Sequence, residues 1–473
     1  MKTPFSINKI SFGTLARMCG GELYQGALGE VSVRYICTDS READAETAFV
    51  ALRGERVDGH DYIEYAIKNG CRCVICEHRN EALVASDTTA IVVNDTGLAL
   101  SKLANNYKSY LHCKTVAITG SVGKTTTKDL VASVLSVEKR VAKTAGNHNS
   151  IVGMPLSMVS VPTDSEWAVL EMGMSGFGEI ERLSIVAEPD IAIITNIGSS
   201  HLEMMGSREN ICRAKLEILS GLKENGTLIL SADEPLLAQI SGKSYHTQYV
   251  SILSEKADFY AKNIRVETAK TVFDIVHGGQ TVKDLSINIL GRHNVYAALY
   301  AFAVATLAGI GEEQIRQGLA AYTPNGMRQH IYQMGRITVI EDCYNASPES
   351  MICALDVLEE YCKRTQQRSI AVLGDMLELG NESPTLHRSV GAYLAKKGID
   401  RLFTVGRGAN QIAIGARQGG MTGDHIHQNT CIDKPEDTAK ALLKELQAGD
   451  VVLFKASRSV GAEKIIACLK DLV

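Results

Sequence analysis

The segment Thr119–Thr127 reads Thr-Gly-Ser-Val-Gly-Lys-Thr-Thr-Thr and directly follows the apolar run Val116–Ile118. A short β-rich run, a glycine turn and a helix that opens with Lys-Thr are typical of a loop that cradles nucleotide phosphates. Gly120 and Gly123 allow successive backbone N–H groups to approach phosphate oxygens closely. The common pattern has a glycine five residues before Gly123, where this chain has Ile118. The segment therefore predicts an α/β fold with an unusual phosphate loop.

The helix that begins near Lys124 adds its positive end to the charge of the lysine itself. The hydroxyl of Thr125 is suited to ligate Mg²⁺ on the nucleotide. We therefore expect the phosphates of ATP to be bound by Gly120, Ser121, Val122, Gly123, Lys124, Thr125 and Thr126.

Length and composition limit the other possibilities. A chain of 473 residues is expected to form about three domains. A net charge of −5 gives no general basic field for nucleic acid or membrane surfaces. No apolar run approaches the roughly 20 residues of a membrane span, and the N-terminus lacks a signal-peptide pattern. We expect a cytoplasmic monomer whose 12 cysteines are reduced thiols.

Three α/β domains are predicted: a small N-terminal domain (1–108), a central domain with a doubly wound parallel sheet (109–320) and a Rossmann-like C-terminal domain (321–473). Residues 256–290 are polar and β-rich, which favours an antiparallel extension of the central sheet. Ligands of such sheets bind beyond the carboxyl ends of the strands. The predicted strands of the last two domains are Thr115–Thr119, Trp167–Leu170, Ile191–Thr195, Thr227–Leu230, Ile337–Ile340, Ser369–Leu373, Leu402–Val405 and Val451–Phe454.

Three polar residues of the central region are candidates for binding a ligand at this edge of the sheet. Glu171 ends a predicted strand, where its carboxylate would face Mg²⁺, although a solvated glutamate is the simpler interpretation. His201 follows the strand Ile191–Thr195, and a single histidine is more often a structural hydrogen-bonding group. Lys215 lies in a helical pattern that by itself predicts a surface lysine.

Taken together, four motifs resemble those of the Mur ligase family: Thr119–Thr127, Glu171-Met-Gly, Thr195-Asn-Ile-Gly-Ser-Ser-His201 and Gly291-Arg-His-Asn294. The resemblance covers essentially the whole chain. It implies an ATP-dependent enzyme that joins amino acids or peptides to the UDP-linked precursor of peptidoglycan through an acyl phosphate.

The resemblance also implies particular roles. Thr125 and Glu171 would ligate the Mg²⁺ on the ATP phosphates, and His201 would ligate a second Mg²⁺. Lys215 matches the lysine that the family carbamylates, which would turn an ammonium into an anionic ligand for the second ion. Asn294 would meet the adenine, although Ala297 stands where the family often has a further asparagine.

The segment Asp342-Cys-Tyr-Asn-Ala-Ser-Pro348 is similar to the signature of the MurF branch, which adds D-alanyl-D-alanine to a UDP-N-acetylmuramoyl tripeptide. By this resemblance Asp342 would meet the ribose, and Tyr344, Asn345 and Ser347 would contact substrate. Ser347 replaces an asparagine of the signature. The same segment is also a reasonable strand-to-helix turn in which Ser347 is the N-cap.

Further residues of this resemblance lie outside that signature. Arg328 would reach the γ-phosphate from the C-terminal domain and act in catalysis with Lys124, His201 and Lys215. Ser40 and Arg41 would bind the uridine diphosphate, and Asn147, His148 and Asn149 the muramoyl-peptide. The segment Lys455-Ala-Ser-Arg-Ser459 departs from the usual Lys-Gly-Ser-Arg-Gly at two positions.

Two other hypotheses remain open at the level of the sequence. One is a related Mur or folylpolyglutamate-type ligase that adds a single amino acid. The other is a binding or transport protein that hydrolyses ATP without ligation. If Arg328, Asp342 and Lys124 all meet one ATP, the C-terminal domain must close on the central one.

Overall fold

Three mainly parallel sheets with flanking helices organise the chain. They are found in a computed structural model that describes residues 1–24, 31–54, 56–324 and 326–472. In this part of the chain the sheets have six, nine and six strands in chain order. Within the same described ranges, no helix is long and apolar enough to cross a membrane.

The N-terminal sheet has the order β1-β5-β6-β7-β8-β3, in which β5 to β8 are parallel and the two edge strands are antiparallel. The elements of this region are β1 Lys2–Pro4, β2 Ile10–Ser11, α1 Phe12–Cys19, β3 Glu22–Tyr24, β4 Ser32–Val33, β5 Tyr35–Cys37, β6 Thr47–Val50, α2 Ile63–Lys68, β7 Cys73–Cys76, α3 Glu81–Val84, β8 Thr89–Val92 and α4 Thr96–Tyr107.

The central sheet has the order β10-β11-β9-β12-β13-β14-β15-β16-β17 and is parallel from β10 to β15. Its elements are β9 Lys114–Thr119, α5 Lys124–Leu135, β10 Val141–Lys143, α6 Gly153–Val159, β11 Trp167–Glu171, α7 Glu179–Ala187, β12 Ile191–Ile194, α8 Leu202–Met205, α9 Arg208–Leu216, β13 Thr227–Ser231, β14 His246–Ser251, β15 Phe259–Val266, β16 Thr271–His277, β17 Gln280–Ile287, α10 Val295–Leu307 and α11 Glu312–Ala321.

The C-terminal sheet has the order β18-β19-β23-β20-β21-β22, and only its edge strand β18 is antiparallel among the described strands. Its elements are β18 His330–Met334, β19 Ile337–Glu341, α12 Pro348–Thr365, β20 Ser369–Gly374, α13 Ser383–Lys396, β21 Arg401–Val405, α14 Asn410–Gln418, β22 Ile426–Asn429, α15 Pro435–Glu445, β23 Val451–Lys455 and α16 Ala462–Lys470.

Burial on both faces explains why the central strands are continuously apolar. Alternate residues of a strand point to opposite faces. Val116 and Ile118 of β9 join a core with α5, α10 and α11, whereas Ala117 joins the core formed with α4, α6 and α7. The predicted doubly wound α/β architecture is therefore confirmed, and so is the antiparallel extension, because β15 to β17 pair in that way.

The domain boundaries after residues 108 and 320 stay predictions. In the structure α4 ends at Tyr107, and α11, which packs on the central sheet, ends at Ala321.

Candidate active site

A cleft of about 580 Å³ lies between the carboxyl edge of the central sheet and the C-terminal region. Residues predicted from the sequence come to it from both sides. Those that line the cleft are Ser121, Val122, Gly123, Lys124, Thr125, Thr126, Asn149, Glu171, His201, Asn294, Arg328, Asp342, Tyr344, Asn345 and Ser347.

The phosphate loop joins β9 to α5 and depends on both of its glycines. Gly123 has φ +84°, in the left-handed region. Gly120 has φ +147°, and a Cβ there would lie 1.8 Å from Thr195 Oγ1. Asn196 fixes the loop from the neighbouring strand, because Val122 N donates to its Oδ1 and its Nδ2 donates to the Val122 carbonyl, both at 3.0 Å.

The Lys124 ammonium lies at the mouth of this loop. It donates to the carbonyls of Gly120 at 2.6 Å and Ser121 at 3.2 Å. Removal from water lowers the pKa of Lys124, and the Arg328 guanidinium lowers it further, while the Glu171 carboxylate opposes the shift. Two cations from different regions therefore face the space in front of the loop, where they would attract polyphosphate.

Glu171 is an almost fully buried carboxylate, 2% exposed, at the carboxyl end of β11. Thr125 Oγ1 donates to its Oε2 and Asn149 Nδ2 to its Oε1, both at 2.9 Å. Lys128 Nζ, also buried, lies 3.6 Å from Oε2. The sequence interpretation missed Lys128, although its position one helical turn after Lys124 would place it beside the loop.

His201 lies beyond β12, where the chain turns into α8 with φ +65° at this residue. Its Nδ1 lies 2.6 Å from Glu378 Oε2 of the C-terminal region. The described residues contain no cluster of three or more His, Cys, Asp or Glu side chains that could hold a metal ion.

Lys215 is 2% exposed on α9, so it is not the surface lysine that its helical pattern predicts. Its ammonium makes no hydrogen bond or ion pair with any described residue. Burial lowers the pKa of Lys215 well below its ordinary value, and the Lys124 charge adds to this effect. A buried lysine without a counter-ion is favoured in its neutral form.

The C-terminal wall of the cleft is built around Lys455, at the end of β23. Lys455 Nζ donates to Asp342 Oδ2 at 2.5 Å and to the Asn345 carbonyl at 3.1 Å. The Arg328 guanidinium stacks on the Tyr344 ring, 3.9 Å from its centroid. These contacts hold Arg328, Asp342 and the loop of Tyr344 together opposite the phosphate loop.

Ser347 is the N-cap of α12, as the turn interpretation predicts. The Ser347 hydroxyl accepts from Ser350 N, the Ser350 hydroxyl accepts from Ser347 N, and Pro348 takes the first helical position. The first turn of α12 also contacts the central region, because Glu349 Oε1 accepts hydrogen bonds from Ser199 N at 2.9 Å and Ser199 Oγ at 2.7 Å.

Asn294, which is predicted to meet the adenine, is buried, and its Nδ2 donates to the Leu290 carbonyl at 2.7 Å. Ala297 lines the cleft one helical turn later and adds no polar group there. Ala456 replaces a glycine of the family segment, and its methyl group is fully buried. A Cβ on Gly374 would lie 2.5 Å from that methyl carbon. Nothing in the structure explains Ser459.

Several predicted residues do not line the cleft: Gly120, Ser40, Arg41, Asn147, His148 and Lys215. Ser40 and Arg41 lie in a 3₁₀ turn of the N-terminal region. The Arg41 guanidinium is mostly exposed and bonds to Asp39, whose pKa it lowers to about 2. Asn147 is exposed, and His148 packs beneath Gly153, where a Cβ would come within 2.7 Å of its Cα.

Three family models match consecutive parts of the chain. The model described as Mur ligase family, catalytic domain, matches residues 32–108. The Mur ligase middle domain matches residues 118–305, and the Mur ligase, glutamate ligase domain, matches residues 327–458.

Individual proteins show the same similarity over full length. A UDP-N-acetylmuramoyl-tripeptide–D-alanyl-D-alanine ligase of Bacillus subtilis is 39% identical over 97% of both chains. A crystal structure of MurF from Acinetobacter baumannii has a TM-score of 0.89 at 30% identity, covering 99% of this chain and 100% of that one. MurF ligase from Thermotoga maritima, solved in complex with ADP, has a TM-score of 0.81 at 30% identity, covering 92% of this chain and 97% of that one.

Proposed function

This chain belongs to the Mur ligase family, and from that premise we propose that it is the ATP-dependent ligase that joins D-alanyl-D-alanine to a UDP-N-acetylmuramoyl tripeptide. The observation that carries the proposal is a single cleft, in which the loop of Tyr344 to Ser347 faces a phosphate loop. The first loop resembles the dipeptide-adding signature and the second is an ATP-binding motif. The product is the pentapeptide precursor of peptidoglycan.

The chemistry requires activation of a carboxylate. The terminal carboxylate of the tripeptide attacks the γ-phosphorus of ATP, which gives an acyl phosphate and ADP. The amine of D-alanyl-D-alanine then attacks the acyl carbon, the amide forms, the amine loses a proton and inorganic phosphate leaves. Lys124 and Arg328 neutralise charge on the moving phosphoryl group, which is mainly electrostatic and positioning work.

The remaining contacts to ATP are assigned from the resemblance to the family. The backbone of Gly120 to Thr126 cradles the phosphates, Asn294 meets the adenine and Asp342 meets the ribose. Tyr344, Asn345 and Ser347 contact the peptide substrates, with Asn149 on the opposite wall. Ser40 and Arg41 bind the uridine diphosphate and Asn147 and His148 the muramoyl-peptide, so the substrate spans from the N-terminal region to the cleft.

The donor set around Glu171 fits Mg²⁺, which prefers oxygen ligands and usually keeps several waters beside substrate phosphates. Thr125 Oγ1 and Glu171 Oε2 lie 2.9 Å apart and would hold that ion together. When bound, Mg²⁺ neutralises phosphate charge. The Asn149 amide orients the other Glu171 oxygen.

A second ion would be held by His201 and by Lys215 after carbamylation. An imidazole and an amine alone suit Mg²⁺ poorly, whereas a carbamate supplies carboxylate-type oxygens. Carbamylation requires a neutral amine to attack CO₂ with loss of a proton. The burial and the lowered pKa of Lys215 favour that neutral amine. The carbamate carbon is directly observable by ¹³C NMR in a buffer that contains ¹³C-labelled bicarbonate.

We propose that residues 1–108 bind the UDP end of the substrate and that residues 109–320 bind ATP. Residues 321–473 would bind the amine substrate and close on the ATP. We also propose that the active form is a monomer.

The test is phosphate release from ATP by the purified protein with UDP-N-acetylmuramoyl tripeptide and D-alanyl-D-alanine. We expect turnover only when both co-substrates are present, with the pentapeptide as product. Equal turnover with D-alanine alone would refute the specificity and favour a ligase for single amino acids. Phosphate release without either co-substrate would refute ligation altogether. A panel of tripeptides that differ in the third residue defines the acyl substrate.

A further inference from the structure

A contact between the central and C-terminal regions is centred on His201 and Glu378. His201 Nδ1 lies 2.6 Å from Glu378 Oε2. The backbone repeats the connection, because Glu203 N donates to the Glu378 carbonyl at 3.0 Å. Gly380 allows close approach beside it, since a Cβ there would lie 3.2 Å from Glu203 Cα. Two segments that are distant in sequence therefore meet at one side-chain pair.

Both members of the pair have a strained backbone. His201 has φ +65° and Glu378 has φ +63°, a region that residues other than glycine occupy uncommonly. The contact between the two side chains offsets little of this strain, because the Glu378 side chain is 55% exposed and exposed ion pairs contribute little to stability. Strain of this kind is concentrated at functional sites.

The loop that presents Glu378 is firmly anchored. His387 Nε2 accepts from Met376 N at 3.0 Å, and its Nδ1 donates to the Ser383 carbonyl at 2.7 Å. Ser457 Oγ accepts from Leu377 N at 3.0 Å. The backbone on both sides of Glu378 is therefore held by hydrogen bonds within the C-terminal region.

The carboxylate decides which imidazole nitrogen carries the proton. A neutral ring that donates from Nδ1 to Glu378 keeps its lone pair on Nε2, on the far side of the ring. Metal-ligating histidines are commonly oriented in this way by a carboxylate at the other nitrogen. We propose that Glu378 is a positioning residue, which holds His201 as the Nδ1–H tautomer and makes its ligating form depend on contact with the C-terminal region.

This inference rests on the proposed function, because it takes His201 as a ligand of the second cation. The competing interpretation is that the pair is only a staple between two regions. A contact that only joins the two regions would fix the same tautomer but would leave the Mg²⁺ requirement unchanged. The spectrum therefore tests whether Glu378 controls the ring, and the Mg²⁺ requirement distinguishes the two interpretations.

The experiment compares the full-length wild type with Glu378→Ala, Glu378→Gln and the control Glu382→Gln. Glu382 is exposed, lies on the same loop and has no ion pair to any described residue. The first readout is the ¹⁵N spectrum of histidine-labelled protein without nucleotide, with His201 assigned by His201→Asn, at a pH where the ring is neutral. The second is the Mg²⁺ concentration that half-saturates phosphate release.

We expect the Nδ1–H tautomer in the wild type, in the control and in Glu378→Gln, whose amide oxygen can still accept. In Glu378→Ala the Nε2–H tautomer should predominate, and the Mg²⁺ requirement should rise about 10- to 100-fold. Unaltered His201 signals in Glu378→Ala, or an unaltered Mg²⁺ requirement, would overturn the proposal. If the wild type fails to form the pentapeptide, the proposed function fails, whereas the spectrum still decides whether Glu378 controls His201.

Discussion

Lys455→Met removes the ammonium that joins the Asp342 carboxylate to the Asn345 carbonyl behind the cleft. Methionine nearly matches the length of the lysine side chain, so packing changes little and the lost charge dominates. The substitution leaves Asp342 without its ion-pair partner and frees the loop that carries Tyr344. We expect both local stability and ATP use to suffer.

The magnitude follows from burial. The Lys455 side chain is 4% exposed and that of Asp342 is 22% exposed. Breaking a buried ion pair from one side costs about 3–5 kcal/mol. Water can reach part of Asp342, which reduces the expected cost to about 2–4 kcal/mol. In the double variant Lys455→Met/Asp342→Asn no charge is left unpaired, so the coupling energy between the two sites should be about 1–3 kcal/mol.

Hydrogen exchange with mass spectrometry measures this locally, in peptides that cover β19 and β23. The single tryptophan of the chain, Trp167, lies in the central sheet, so its fluorescence reports another region. A loss of 2–4 kcal/mol corresponds to an acceleration of about 30- to 1000-fold where exchange follows local opening. Lys397→Met is the matched control, because Lys397 pairs with Asp356 at 2.6 Å with both side chains partly exposed. That change should cost less than about 1 kcal/mol.

Two outcomes would refute this reasoning. One is a cost in Lys455→Met that is no larger than the cost in Lys397→Met. The other is strict additivity of the Lys455 and Asp342 substitutions, which would mean that their pairing contributes nothing. The KM for ATP should rise in Lys455→Met, since Asp342 loses the contact that orients it.

Four further predictions concern single residues. Gly120→Ala should abolish ATP binding in an isothermal titration, because the new Cβ would lie 1.8 Å from Thr195 Oγ1; wild-type affinity would contradict the geometry of the loop. Lys215→Ala should lose phosphate release and regain part of it with a short-chain carboxylic acid, and failure of Lys215→Ala to lose activity would exclude a role for a carbamate. Ser347→Ala should cost about 1 kcal/mol of stability through loss of the N-cap, measured by thermal unfolding, whereas Ser347→Asn should retain it. Burial lowers the pKa of His387 below its ordinary value of 6.5. The buried neutral ring therefore contributes its full stabilisation above pH 6.5. This stabilisation is lost as the pH falls, because the unfolded chain takes up the proton first. Between pH 7.5 and pH 5 the melting temperature of His387→Gln should therefore depend less steeply on pH than that of the wild type, and equal slopes would refute the assignment.

Local chemistry explains which features could be predicted from the sequence. The phosphate loop is encoded within nine residues, because a turn with two glycines that is followed by Lys-Thr is typical of phosphate binding. Ser347 and Pro348 specify the start of α12 in the same way. Strand alternation and apolar runs identify the central sheet, since both of its faces are covered by helices.

The partners of buried charges were not predictable, because they are remote in sequence. Lys455 lies 113 residues from Asp342, and Thr125 lies 46 residues from Glu171. By pattern, Lys215 and Lys455 are indistinguishable from surface lysines, and only the packed fold reveals that both are buried. The exposed position of Arg41, by contrast, agrees with its hydrophilic surroundings in the sequence.

The segment Thr195–Glu203 explains how two regions can share one reaction. At one end Asn196 clamps the phosphate loop through Val122. A few residues later Ser199 binds Glu349 of α12 and His201 meets Glu378. These contacts fall within one short segment after β12, so the same segment contacts both the phosphate loop and the C-terminal region. Such a short connection suits a reaction in which an acyl phosphate must be kept from water until the amine arrives.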